Sequence, residues 1–297
     1  MLHYYMKIYT RITVVMGLIF LYSLFRYGFF VGSVKFGLLL NRRFLADIFP
    51  TFIGIGGLAV FAATKFQKSR LLKIFMCYNI FLFPFFLIRI QFLMDNASSD
   101  GSNLLRDWNF ITMVLTNILL IVCSVVGLWL LEKRQIPAFT YHDIGDTAIA
   151  EFSPAPVSLR FVNRLADLLI IIYVLYSNII DSYVLRQLFK SLLKNSGTGT
   201  FLLIEFLFTF YYYLILEGIF NTSIGKCITN TMIVDDTGTK PRFAQVIGRT
   251  FCRYIPFEPF SFFSRNGRGW HDSMSGTFVV KGGEEDWLTK TNDVADT

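Results

Sequence analysis

Six long apolar runs constrain this chain more than any other feature of it. They lie at about 11–31, 48–64, 74–93, 110–131, 161–185 and 201–220, with 48–64 the shortest and weakest. Crossing roughly 30 Å of hydrocarbon takes about 20 mostly apolar residues in a helix. Only a helix or a closed barrel satisfies its own backbone polar groups there. The runs therefore predict six membrane-spanning helices. Composition agrees: 54% of the 297 residues are hydrophobic and 16% are charged, against about 25% charged in a soluble domain. The 33 Phe and 14 Tyr suit apolar interiors and membrane interfaces.

The first run is read as an anchor rather than a signal peptide. It is longer than a typical h-region, and no small-x-small cleavage site follows it. The net charge of +7 fits nucleic-acid binding or the basic loops of a membrane protein. Here the basic residues lie between the apolar runs, so the lipid bilayer is the expected partner and nucleic acid is not. Lys65, Lys68, Arg70 and Lys73 form a short loop without acids, which places it in the cytoplasm. Both termini are then cytoplasmic, and Asp95, Asp100 and Asp107 lie outside. Lys35, Arg42, Arg43, Arg186, Lys190 and Lys194 argue against that orientation. Cys77, Cys123, Cys227 and Cys252 form no Cys-x-x-Cys pair and suggest neither disulfides nor zinc.

Four parts are expected. Residues 1–134 form a four-span membrane module. Residues 135–159, with Pro137, Pro154 and Pro156, form a polar linker. Residues 160–281 hold two spans and a small cytoplasmic cap, and 282–297 form a flexible tail. In the cap, 228–234 reads as a strand running into the turn Asp235-Asp236-Thr237-Gly238, and 277–281 as its partner. Between them Phe243, Val246, Ile247, Thr250, Phe251 and Tyr254 recur at helical spacing. Arg249 and Arg253 make that helix basic and amphipathic. It fits either the membrane interface or packing on its own hairpin. The expected fold is thus an all-α membrane protein of about six spans, with a small C-terminal cytoplasmic β-hairpin and amphipathic helix.

The chemistry-bearing residues sit in the last two spans. Helical geometry puts Arg160, Arg164, Asp167 and Asn178 on one face of the fifth, with Asp181 close by. Ionisable groups inside a membrane usually face a partner or a cavity. Asp167, one to two turns into the hydrocarbon, needs a cation or a proton, and Arg164 at i−3 is within reach. The bland alternative has the arginines snorkelling to phosphates and Asp167 only holding helices together. Glu205 enters the sixth span from the other side and reads as a protonated acid bonded to a neighbouring helix. Arg26 and Arg89 read as snorkelling residues near span ends.

Several enzyme signatures fail. Gly225-Lys226 is no phosphate loop, because Cys227 stands where Ser or Thr would hold magnesium. His271-Asp272 lacks further metal ligands at useful spacing. No Gly-x-Ser-x-Gly elbow occurs. Neither catalytic activity, nor a cofactor, nor a metal is expected.

Linked motifs in the C-terminal half carry a family resemblance. They are Arg160-Phe-Val-Asn-Arg-Leu-Ala-Asp167, Thr222-Ser-Ile-Gly-Lys226, Val234-Asp-Asp-Thr-Gly238, Arg249-Thr-Phe-Cys-Arg253, Ile255-Pro-Phe-Glu-Pro-Phe-Ser261, Gly269-Trp-His-Asp272 and Ser275-Gly-Thr-Phe-Val-Val280. Over about residues 155–281 the chain resembles the RDD family of membrane proteins, named for one Arg and two Asp. The resemblance implies that Arg160 is the family Arg, and Asp167 and Asp272 the two Asp. Arg164 departs from it, standing where an aromatic or apolar residue is expected. The resemblance further implies a bacterial cytoplasmic (inner) membrane protein and a suspected transport role, some members resembling sodium/proton antiporters. In that reading Asp167 binds a monovalent cation or proton, Arg160 or Arg164 tunes it, and Asp272 sits at the cytoplasmic mouth. The alternative is a non-catalytic scaffold docking on a membrane partner protein. Two copies of the bundle would supply a homo-oligomeric pathway.

Overall fold

The computed structural model describes residues 2–33, 42–99, 108–137, 139–144, 147–152, 154–181, 198–255, 261 and 269–284. Helices stand at all six apolar runs: α1 (Leu2–Ser33), α2 (Arg42–Ala63), α3 (Arg70–Ser99), α4 (Trp108–Glu132), α5 (Val157–Asp181) and α6 (Thr198–Phe220). Among the described residues, three stretches are long and apolar enough to cross a bilayer: Arg70–Gln91, Phe110–Glu132 and Leu202–Phe220. Pro50–Ala63 is a shorter apolar helix. The C-terminal part adds α7 (Ile224–Thr229), β4 (Thr231–Asp235), α8 (Phe243–Cys252), α9 (Trp270–Ser275) and β5 (Thr277–Glu284).

The chain divides into two compact units: Met1–Leu128 with Ile172–Leu202, and Trp129–Ile171 with Leu203–Thr297. In the first, α1, α2 and α3 pack through aromatic rings. Tyr9 meets Phe61 edge-on at 5.8 Å, and Phe20 meets Phe75 at 5.1 Å. Gly57 lets α2 approach α3 closely, since a Cβ there would lie 2.7 Å from the Leu72 backbone nitrogen.

The second unit contains the sheets. β4 pairs antiparallel with β5, and β1 (Gln135–Pro137) pairs with the far end of β5. The two expected strands are partners, but they are not a tight hairpin: α8 and α9 lie between them in the chain. The turn after β4 forms as expected, with Gly238 at φ 80° and its amide 3.0 Å from the Asp235 carbonyl. Asp235 also accepts hydrogen bonds from Thr237 and Thr239. Burial works against its charged form, but these bonds prevail and hold its carboxyl below the ordinary range.

Three local expectations are corrected. Residues 228 and 229 belong to α7 rather than to a strand, because Ser223 caps that helix and Asn230, in the left-handed region, ends it. Residues 282–284 extend β5 instead of joining the frayed tail, because β1 pairs with them; the rest of the tail lies outside the described residues. The linker at 135–159 carries β1 and a second antiparallel pair, β2 (Phe139–Ile144) with β3 (Thr147–Phe152).

The α5 and α6 side chains reverse the pattern of a soluble helix. Phe161, Leu165, Leu168 and Leu169 on α5 are exposed, as are Leu202, Leu203 and Leu207 on α6. The polar Arg160, Asn163 and Asp167 point inward and are buried. Apolar groups facing out over polar groups facing in is the arrangement lipid requires.

Candidate functional site

Asp167 is 2% exposed on the inner face of α5. Its carboxylate accepts hydrogen bonds from the Tyr212 hydroxyl (2.6 Å), the Ser223 hydroxyl (2.8 Å) and the Gly225 amide (2.7 Å). Tyr212 in turn accepts from the Ile224 amide at 3.0 Å. Ser223 Oγ accepts from the Lys226 amide at 3.3 Å, as an N-cap does. Asp167 thus ties the start of α7 to α5 and, through Tyr212, to α6. Only glycine fits at 225: a Cβ would lie 2.3 Å from the Asn163 carbonyl oxygen, which is backbone and cannot swing aside. Beside this contact the Asn163 amide sits 2.8 Å from the Thr231 hydroxyl and also bonds Thr229.

The second carboxylate is Glu217, near the C-terminal end of α6 and 1% exposed. It pairs with Lys226, with Arg253 Nη2 at 2.6 Å and with Arg249 Nε at 3.4 Å. The Arg253 guanidinium also lies over the Tyr213 ring, 3.6 Å from its centre. A buried charge is tolerated only when paired and hydrogen-bonded, and Glu217 supplies that for three cations. Burial pulls the Lys226 ammonium below its ordinary range, with Glu217 opposing. For Arg253 burial acts the same way and is the largest single influence, but Glu217, Tyr213 and Asp167 together outweigh it and raise the guanidinium further.

The third carboxylate is Asp272 on α9, buried beside Arg249, with Arg160 Nη1 3.8 Å from its other oxygen. Arg249 Nη1 also donates to Thr277 at 2.8 Å, so one guanidinium joins α8, α9 and β5. His271 is buried with Nε2 3.5 Å from Asp272. Burial first, then Arg249 and Arg253, hold the imidazole well below its usual 6.5. Its neutral form is therefore favoured by folding. Stability from this group is fully present above about pH 6.5 and is lost as pH falls below it, because the unfolded chain takes up the proton first. The melting temperature in detergent should fall with acidification below that point, and His271→Asn should flatten the slope. An unchanged slope in the variant would show that other groups cause the loss.

The residues singled out in the sequence are distributed as follows. Arg160, Arg249, Arg253 and Asp272 come together in this centre. The expected pairing of Asp167 with Arg164 is replaced. Asp167 is held by hydroxyls and an amide, while Arg164 Nη2 donates to the Arg253 carbonyl at 3.2 Å. Asp272 is 1% exposed rather than open at a mouth. Glu205 is half-buried on α6, and the Asn178 side chain lies outside the described residues. The amphipathic helix α8 turns its basic side inward: Arg249 and Arg253 are buried, while Phe243 and Phe251 are half exposed. Phe251 and Tyr254 lie against Phe206, with ring centres 6.3 and 4.5 Å away.

Sequence reasoning passed over Glu217 and Tyr212, and it met Ser223 and Lys226 only as members of a family motif, without a role. The rule that drew attention to Glu205 applies equally to Glu217, an acid within an apolar run.

Residues 154–276 match the family model described as the RDD family. This region is an RDD domain. No curated protein and no solved structure matches the chain. The RDD domain so delimited contains α5, α6, α7, α8 and all three buried carboxylates. Three residues of its motif Thr222-Ser-Ile-Gly-Lys226 have clear roles: Ser223 caps α7 and bonds Asp167, Gly225 allows the approach to Asn163, and Lys226 pairs with Glu217.

Proposed function

We propose that this chain is a six-span protein of a bacterial cytoplasmic membrane, with both termini in the cytoplasm, that transports a small solute through its RDD domain. One observation carries the reading. An RDD domain with an apolar helix long enough to cross a bilayer also keeps a small pocket lined by Arg160, Asn163, Arg164, Asp167 and Lys226 among others. Charges in such surroundings are expensive and are usually retained for binding or transfer.

A monovalent cation is the less favoured cargo. Asp167, its natural ligand, already accepts three hydrogen bonds. The scaffold alternative draws on the half-exposed aromatic side of α8, where Phe243 and Phe251 offer apolar area to a membrane partner.

Reconstitution in proteoliposomes separates these readings. Sodium and potassium gradients are imposed across vesicles holding a pH dye, and uptake of labelled small anions is measured in parallel. We expect anion uptake, together with pH traces that are the same for wild type and Asp167→Asn. A sodium-driven pH change abolished by Asp167→Asn would establish the cation reading instead. No flux of any solute, with a membrane protein co-purifying in mild detergent, would favour the scaffold.

A further inference from the structure

The pocket among α5, α7 and α8 has a composition that selects its ligand. Five cationic side chains line it: Arg160, Arg164, Lys226, Arg249 and Arg253. Among the described residues Asp167 is the one carboxylate in its wall, and both of its oxygens accept hydrogen bonds. Glu217 and Asp272 stand behind the cations and do not line the pocket. His271, which also faces it, is held in its neutral form by burial. Cations thus outnumber carboxylates even when all three acids are counted.

Arg253 supplies the directional element. It is 8% exposed, stacked on Tyr213 and bonded through Nη2 to Glu217. These two contacts fix the plane of the guanidinium. Its other terminal nitrogen, Nη1, is buried without a hydrogen-bond acceptor among the described residues, on a residue that lines the pocket. A buried donor lacking a partner is disfavoured. An anionic oxygen in the pocket would satisfy it. Arg164, half-buried, reaches the same place from α5, with its Nη2 on the Arg253 carbonyl.

We infer that this pocket binds a phosphate-type oxyanion, held by Arg253 Nη1 with Arg164 and Lys226 around it. Guanidinium forks match the geometry of phosphate oxygens, and an ammonium adds a point charge. Donors from three separate elements suit a tetrahedral anion better than a flat carboxylate. The oxyanion has two sources, free inorganic phosphate or the headgroup of an anionic phospholipid. This assignment deepens the transport reading above but concerns binding, so it stands or falls separately from flux.

The test uses the purified full-length protein, delipidated in neutral detergent. Inorganic phosphate is titrated and the melting temperature followed, with binding measured by calorimetry. A second arm places the protein in nanodiscs of phosphatidylcholine with or without phosphatidic acid. Two variants accompany the wild type. Arg253→Lys keeps the charge but loses the fork, and Arg164→Gln removes a half-buried cation. Each should weaken binding about tenfold.

Stabilisation by phosphate, weakened in both variants, supports the site with a free anion as occupant. Stabilisation only by phosphatidic acid, weakened in the same variants, supports it with a lipid headgroup. No response to either probe overturns the inference, and so does equal binding by wild type and both variants. Preference for acetate over phosphate would overturn the phosphate class. Binding that persists while vesicles show no flux would refute transport and leave the site standing.

Discussion

Glu217→Gln should lower the melting temperature of the detergent-solubilised protein by about 10 °C. The side chain keeps its shape, so packing is hardly altered. What changes is charge. Lys226, Arg249 and Arg253 all lean on this carboxylate, and all are buried. Removing one partner from a buried ion pair typically destabilises by about 3–5 kcal/mol, because the remaining charge has lost both water and counter-ion. A control comes from Lys240, which pairs with Glu132 at 2.7 Å and has a side chain 41% exposed. Lys240→Gln should cost at most about 1 kcal/mol, since water screens such a pair. Thermal unfolding followed by tryptophan fluorescence checks both. Equal, small shifts for the two variants would mean that Glu217 is not the counter-ion described here.

The second large effect concerns Asp167. Asp167→Ala should destabilise the protein by about 3–5 kcal/mol, because three buried donors lose their acceptor together. Those donors are the Tyr212 and Ser223 hydroxyls and the Gly225 amide. Asp167→Asn should be milder, at about 1–2 kcal/mol, since the amide oxygen still accepts and its nitrogen can donate to Ser223. The damage should be local, and limited proteolysis should open first around residues 221–230. The sign distinguishes two roles. A carboxylate kept vacant for a cation is a destabilising element, and its removal would raise the melting temperature of the ion-free protein. A structural acceptor gives the opposite result. A stabilised Asp167→Ala variant would therefore restore the cation-site reading.

Much of the architecture was legible before any coordinates. Apolar runs of span length are local facts, and each became a helix at the expected place. The strand at 277–281, within β5, was legible as the partner of the strand before Asp235, and so was the turn at Gly238. The direction of α8 was not. A basic amphipathic helix has two faces, and periodicity does not say which meets the protein. Here the arginines face in, because Glu217 and Asp272 wait for them there. Glu217 itself was hidden for a related reason. Nothing in the neighbourhood of an acid in the run Leu214-Ile215-Leu216-Glu217 announces three cations contributed by α7 and α8.

The amino-acid sequence by itself determined that this chain makes apolar helices, and that Asp167 would have to find a partner rather than sit alone in lipid. Helix formation and burial follow from neighbours along the chain, which is why they could be read there. The tertiary structure alone decided who the partners are: Asp167 went to hydroxyls and an amide, and the arginines went to Glu217 and Asp272. Electrostatic attraction acts through space at a few ångströms, so the pairing depends on how the elements pack.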